Sequence, residues 1–166
     1  ELEALSAAPQ AALLVAEMFR TTGEYLMRGS DMDAAQSNCQ RALELLRGMT
    51  AATETPDVVV VAETARTWQL QAQLHFRAQR YADAMSAWRS ARAALDSVRE
   101  GRQDDQRLTK AVAALEYDLA EAYGVLGGFG GAREHFDLAF AADREIPERD
   151  SIVAFNHAAV LVHEND

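Results

Sequence analysis

The chain has 166 residues, a length typical of one domain, and its apolar and charged fractions of 49% and 25% are those of a globular protein. Three prolines and nine glycines are too few for a disordered, collagen-like or all-β chain, whereas alanine, the best helix former, supplies 33 residues. This composition predicts an all-α protein. The formal charge of −10 is opposite in sign to that of nucleic-acid-binding proteins, so we expect an acidic surface that favours partners with basic segments.

Two helices are predicted in the first fifty residues. Residues 1–6 are interpreted as the end of an earlier helix, and Pro9 suits the first turn of the next one. From residue 10 to residue 28 four apolar residues keep helical spacing: Leu14, Met18, Tyr25 and Leu26. Residues 29–31 break this helix and offer Asp31 as the N-cap of a second helix, which is followed by a polar loop over residues 48–55.

The next two helices begin with a strong start signal at Thr55, Pro56 and Asp57, where a capping hydroxyl precedes a proline and an acid. Residues 58–61 are four valines, which favour a strand, but no second strand-like segment exists to pair with them, so we predict a helix. A tight turn at Gln79 and Arg80 leads to the fourth helix, and residues 100–106 form a polar linker.

Three further helices are predicted in the last third of the chain. Leucines and alanines at helical spacing mark a fifth helix up to Leu126. The glycine-rich run at residues 127–131 lacks the lysine of a phosphate-binding loop and follows a helix, so we interpret it as a C-cap and chain reversal. A sixth helix contains Ala132, Phe136 and Ala139, and Pro147 opens a seventh.

Successive helix pairs carry a repeated pattern that resembles the tetratricopeptide repeat (TPR). The third pair fits best, and its matching residues are Leu119, Ala120, Tyr123, Ala132, Phe136 and Ala139. The second pair matches at Trp68, Ala72, Tyr81, Ala84, Trp88 and Ala91, and the first at Phe19, Gly23, Leu26, Ala35, Cys39 and Ala42. One position of the pattern, here called the small slot, holds a small residue in each unit, at Gly23, Ala72, Ala120 and Ala158. These residues are 49, 48 and 38 positions apart, which exceeds the standard repeat period of about 34 residues. Longer units of this kind resemble those of kinesin light chains, Pins-type adaptors and sensor segments of bacterial regulators.

The resemblance implies a right-handed helical-hairpin solenoid, a TPR-like superhelix of about seven helices. Its units are residues 10–50, 56–99 and 102–145, with a half unit at 147–166. Small residues at the repeated slot let paired helices approach closely, and Trp88 and Phe136 fill the space opposite. The half unit predicts a fragment of a longer array, or an uncapped end that self-associates.

In TPR proteins the first helix of each pair lines a concave groove that takes an extended or helical peptide. The repeat register projects these partner-binding residues onto that groove: Arg20, Glu24, Arg66, Gln69, Gln73, Arg77, Tyr117, Asp118, Glu121, Phe155 and Asn156. Arg77 could grip a carboxylate, and Asn156 could bond a peptide backbone with both its donor and its acceptor. Glu24 and Asp118 stand where the family's chaperone-binding clamp has Asn and a basic residue, so that ligand is not expected.

No set of residues predicts catalysis, a metal site or a cofactor. The four histidines form no H-E-x-x-H pair, and His157 and His163 lie on opposite sides of one helix. Cys39 excludes an internal disulfide, fits a reducing cytoplasm and is interpreted as a small buried hydrophobe. The longest apolar run, residues 58–62, is far shorter than the roughly 20 residues of a membrane span, so no membrane partner is expected.

Two functions stay open on this evidence. The first is a non-catalytic interaction scaffold that binds a peptide or partner domain in the groove. The second is a ligand-sensing or self-associating segment of a larger bacterial regulatory protein. An enzyme is not expected, and a closed helical bundle is the structural alternative to the solenoid.

Overall fold

The computed structural model describes residues 2–52, 57–100, 102, 104–143 and 151–164. The regular structure of these residues is entirely α-helical, as predicted, and comprises seven helices. They are α1 (Leu2–Arg28), α2 (Met32–Ala51), α3 (Val58–Arg77), α4 (Tyr81–Arg99), α5 (Gln106–Val125), α6 (Phe129–Ala142) and α7 (Ser151–Glu164).

The helices pack as hairpins within two compact units, residues 1–100 and 101–166. In the first unit α1 pairs with α2 and α3 pairs with α4, while α3 also contacts both α2 and α1. In the second unit α5 pairs with α6, and α7 packs against α6 and touches α5. Because each hairpin has a connection of only three residues, its two helices run antiparallel. This arrangement is consistent with the predicted helical-hairpin solenoid.

The turns of the three hairpins share one backbone geometry. In each, the middle residue has a positive φ: 67° at Ser30, 59° at Gln79 and 79° at Gly127. The following amide bonds the carbonyl five residues back, from Asp31 to Leu26 at 2.9 Å in the first turn, and equivalent bonds close the other two turns. This is the Schellman arrangement that ends a helix and satisfies its last carbonyls. The glycine run is therefore a C-cap and reversal, as predicted.

Aspartate N-caps precede three helices, α2, α3 and α5. The side chain of Asp31 accepts a hydrogen bond from the amide of Ala34 at 3.1 Å, which confirms its predicted role. Asp57 caps α3 by accepting from Val59 at 2.7 Å, so the cap lies at Asp57 rather than at Thr55, and α3 begins directly after it. Thr55 and Pro56 themselves lie outside the described residues.

The cores of the two units are built from alanines and larger apolar side chains. The first unit has one cluster around Cys39, Leu43 and Leu70 and another around Leu46 and Val60. In the second, Phe136 is 1% exposed and packs with Ala120, Ala132 and Val160. These residues confirm that the repeated alanines, Cys39 and Phe136 are core positions.

Close approach of the helices depends on the small residues predicted for it. A Cβ added to Gly23 would lie 3.0 Å from Leu70 Cδ2 and 3.3 Å from the carbonyl oxygen of Ala35. Ala72 and Ala120 are fully buried. Ala158, by contrast, is exposed, because α7 directs Val160 rather than Ala158 at the Phe136 cluster. The second helix of this half unit is not among the described residues, so the predicted close approach at Ala158 stays a prediction.

Several predicted boundaries are wrong. Helix α1 runs without a break from Leu2 through Pro9, so Pro9 lies inside the helix rather than in its first turn. Helix α2 continues to Ala51, and within its last turns the hydroxyl of Thr50 donates to the carbonyl of Leu46 at 3.2 Å. Helix α6 begins at Phe129, inside the glycine run. Pro147 lies outside the described residues, and α7 begins at Ser151.

Candidate partner-binding surfaces

In the first unit, a buried ion-pair cluster joins α1 to α3. Arg20 donates from Nε to Glu63 Oε1 at 2.5 Å and from Nη1 to Glu24. Arg66 Nη1 lies 3.9 Å from Glu63 Oε2, so Glu63 connects the two arginines. Three predicted residues, Arg20, Glu24 and Arg66, are thus brought together by a carboxylate that the sequence analysis did not select.

The charges of this cluster are removed from solvent to different degrees. The side chains of Arg20 and Glu63 are 9% and 5% exposed, while those of Glu24 and Arg66 are 35% and 40% exposed. Burial alone would lower the pKa of Arg20, but the hydrogen bonds and charges of Glu63 and Glu24 outweigh it and raise the pKa. The guanidinium therefore stays charged and holds α1 against α3.

The remaining predicted residues of the first unit lie on α3. Gln69 is buried and Gln73 is half-buried, whereas Arg77 is exposed in the last helical turn. Of the predicted residues in this unit, those whose side chains a partner could reach are therefore Glu24, Arg66, Gln73 and Arg77. Arg77 makes no ion pair with another described residue, so its guanidinium is available to an anionic group.

In the second unit, a hydrogen-bonded patch joins α5 to α7. Tyr117 Oη donates to Glu121 Oε1 at 2.6 Å. Asn156 Nδ2 donates to the same carboxylate oxygen at 3.1 Å and to Tyr117 Oη at 3.3 Å. Asn156 is 39 positions from Tyr117 and 35 from Glu121 in the sequence, and these three predicted residues form one polar surface across the two helices. Asp118, which is half-buried, lies next to Tyr117 on α5. The side chain of Phe155 lies outside the described residues.

A second polar pair in this unit escaped the sequence analysis. Glu116 is 2% exposed, and its Oε2 lies 2.8 Å from His135 Nδ1. The ring of His135 stacks on that of Tyr123, with centroids 5.2 Å apart. The available sign was Glu116 itself, an acid between apolar residues of α5. A buried acid requires a partner, and the same reasoning applies to Glu63 within its apolar stretch.

The structure bears on two kinds of reactive site, a cysteine nucleophile and a metal centre. Cys39 donates from Sγ to the carbonyl of Thr67 at 3.4 Å, and burial raises the pKa of its thiol to about 12. The thiolate nucleophile is therefore not formed near neutral pH. Among these residues no group of three or more His, Cys, Asp or Glu side chains is placed to hold a metal ion.

The comparisons with known proteins give no relative. No protein-family model, no curated protein and no solved structure matches the chain. None of the helices in the described part of the chain has the length and apolar character needed to cross a membrane.

Proposed function

We propose that this protein is a non-catalytic interaction scaffold of the TPR-like type, which binds a peptide or a partner domain. The observation that carries the proposal is the patch of Tyr117, Glu121 and Asn156. Residues projected onto the groove of a repeat are joined there into one partly exposed polar surface made by two helices. The repeated turns at Ser30, Gln79 and Gly127 support a repeat architecture.

The chemistry of this patch suits a peptide better than a small substrate. The Oδ1 acceptor of Asn156 can bond a backbone amide, while its Nδ2 stays bonded to Glu121. Glu121 is exposed and Asp118 is half-buried, so their carboxylates would favour Lys or Arg in the bound segment. The proposed partner is a protein with a basic segment in the cytoplasm, with no nucleic acid and no membrane involved.

The test is affinity capture from a lysate of the source cells with three baits. They are the wild-type chain, the double variant Arg77→Glu, Asn156→Ala and the control variant Arg89→Glu. Arg89 is exposed on α4, so the control introduces the same charge change away from the projected groove. Mass spectrometry compares the captured proteins, and circular dichroism checks that all three baits keep their helicity.

We expect wild type and the Arg89→Glu bait to retain a common protein that the double variant loses. Retention of the same proteins by all three baits would show that the groove assignment is wrong. If no bait retains any protein, the ligand-sensing segment of a regulatory protein becomes the better function.

A further inference from the structure

The outer face of α1 carries apolar side chains that nothing in the first unit covers. Leu14, Met18 and Tyr25 are 58%, 59% and 76% exposed. They are separated by four and seven residues, so they lie along one face over about 16 Å of helix. Single exposed apolar residues are ordinary, but several of them aligned on one helix face are typical of an interaction site.

The other faces of α1 are already occupied. Towards α2, Phe19 lies under the guanidinium of Arg41, whose Cζ is 5.7 Å from the ring centroid. Towards α3, Arg20 bonds Glu63, and Ala16 and Met27 are buried. The stripe is therefore a separate face of α1 and is not part of the ion-pair cluster.

The register of the stripe matches one side of a two-helix coiled coil. Leu14, Met18, Thr21 and Tyr25 follow alternating steps of four, three and four residues, which is the spacing of core positions in heptads. The line of Leu14, Met18, Thr21 and Tyr25 is called the seam. Glu17 and Glu24 lie seven residues apart along one edge of the seam, whereas Val15 and Thr22 on the other edge are uncharged. The seam thus offers an apolar centre with acid along one side.

These charges discriminate between possible occupants. A second copy in antiparallel orientation would align the glutamates of both chains, and a parallel copy would place them opposite Val15 and Thr22. Neither orientation of a copy forms an opposite-charge pair, and the formal charge of −10 adds general repulsion. A helix from another protein with Lys or Arg at the flanking positions would instead pair with Glu17 and with the exposed part of Glu24.

We propose that the Leu14–Met18–Tyr25 face of α1 binds an amphipathic helix of a partner protein, with apolar core positions and basic flanking positions. This interaction shares only Glu24 with the residues projected onto the groove, and it requires neither Arg77 nor the projected residues of α5 and α7.

The test is selection from a displayed library of 21-residue helices against the full chain. The library has Leu at the core heptad positions and an equal mixture of Lys and Glu at the flanking positions. Parallel selections use two variants of the chain. The first is the double variant Leu14→Gln, Met18→Gln, and the second is the matched control Leu138→Gln, which changes an exposed apolar residue on α6 of the second unit. Gln is a good helix former, so the double change at exposed positions preserves α1.

We expect Lys to be enriched at the flanking positions, and the affinity of the selected helices for the Leu14→Gln, Met18→Gln variant to fall about tenfold or more. The Leu138→Gln control should bind as wild type does, and Glu17→Lys should weaken Lys-flanked helices and strengthen Glu-flanked ones. Three results would overturn the proposal: enrichment of Glu, no enrichment, or affinity that the Gln changes leave intact. Sedimentation that shows a wild-type dimer dissociated by the Gln changes would also overturn it, because the occupant would then be a second copy.

Discussion

At the scale of single residues, the buried pair of Arg20 and Glu63 links stability to the presence of two charges. Both side chains lose most of their hydration, and their attraction offsets that loss only while both charges are present. Removing Glu63 leaves the buried guanidinium of Arg20 with only the partly exposed Glu24 as its partner, whereas replacing both Arg20 and Glu63 with apolar groups removes the desolvation cost as well.

The change Glu63→Gln should therefore destabilise the first unit by about 3 kcal/mol. The double variant Arg20→Met, Glu63→Leu should lie within about 1 kcal/mol of wild type. Urea unfolding followed by circular dichroism measures both. Arg66→Gln is the control, since its guanidinium is half-exposed and 3.9 Å from Glu63, and it should cost less than about 1 kcal/mol. An equal cost for Glu63→Gln and Arg66→Gln would contradict the assignment.

A second residue-scale prediction concerns acid sensitivity at His75. Burial, and then the charge of Arg80, lower the pKa of His75 in the folded chain, while Asp83 opposes this shift. Its Nδ1 has no hydrogen-bond partner in the described structure. The unfolded chain therefore binds a proton more readily than the folded chain, so stability should fall as the pH drops below about 6.5.

The variant His75→Gln should flatten this fall between pH 8 and pH 5.5, approximate limits that bracket the ordinary histidine pKa. Asp83→Asn should steepen it, because the opposing acid is then absent. Urea midpoints at several pH values measure the slope. Parallel pH profiles for wild type and His75→Gln would show that His75 does not contribute.

At the scale of the elements, the hairpin turns combine one geometry with three different residues. Only the third turn has glycine at the residue with positive φ, and Ser30 and Gln79 hold the same left-handed conformation with a side chain. That conformation costs residues other than glycine about 1 kcal/mol. Two of the three turns are therefore strained at a single residue, although their hydrogen bonds match those of the third.

Replacement of Gln79 by Gly should accordingly stabilise the chain by about 0.5–1 kcal/mol, and Gly127→Ala should destabilise it by about 1 kcal/mol. Thermal unfolding measures both changes. Gln79→Ala is the matched control, because it removes the same side chain but keeps the Cβ, and it should bring no gain. Equal stabilisation by Gly and Ala at this position would mean that the Gln79 side chain, rather than its backbone, is responsible.

The turns also show that the local sequence predicts where the chain reverses but not the backbone geometry of each reversal. The positions of all three reversals were predicted, since polar or glycine residues interrupt the apolar spacing. The geometry at Ser30 and Gln79 was not, because neither residue prefers a positive φ. The bend at Gln79 is set by α3 packing back on α4, where Phe76 meets Tyr81 and Trp88 at centroid distances of 5.2 and 5.8 Å.

At the scale of the whole molecule, the dominant physical property is the formal charge of −10. Repulsion among surface carboxylates opposes the folded state, and it is screened by salt. The buried pair of Arg20 and Glu63 is shielded from ions, so salt should weaken it little. The net effect of added salt on stability should therefore be favourable.

Raising NaCl from about 0.01 M to about 0.15 M shortens the screening length from about 30 Å to about 8 Å, and the Tm should rise by a few degrees. Differential scanning calorimetry measures this change. The variant Asp104→Lys, which lowers the negative charge at an exposed linker residue and leaves the N-cap of α5 at Asp105 in place, should show a smaller rise. A Tm that falls with salt in wild type would mean that favourable surface pairs outweigh the repulsion.

The sequence by itself determined the all-α class, the approximate extent of the helices and the places where the chain reverses. Each depends on neighbours within one or two turns, through alanine content, apolar spacing and the cap at Asp31. The tertiary structure alone decided the partners of buried charges and the exposure of apolar faces. Arg20 and Glu63 are 43 residues apart, and Asn156 and Tyr117 are 39 apart, so their contacts depend on how whole helices are rotated against each other. The same rotation leaves Leu14, Met18 and Tyr25 exposed, although their spacing is that of a helix with one buried face.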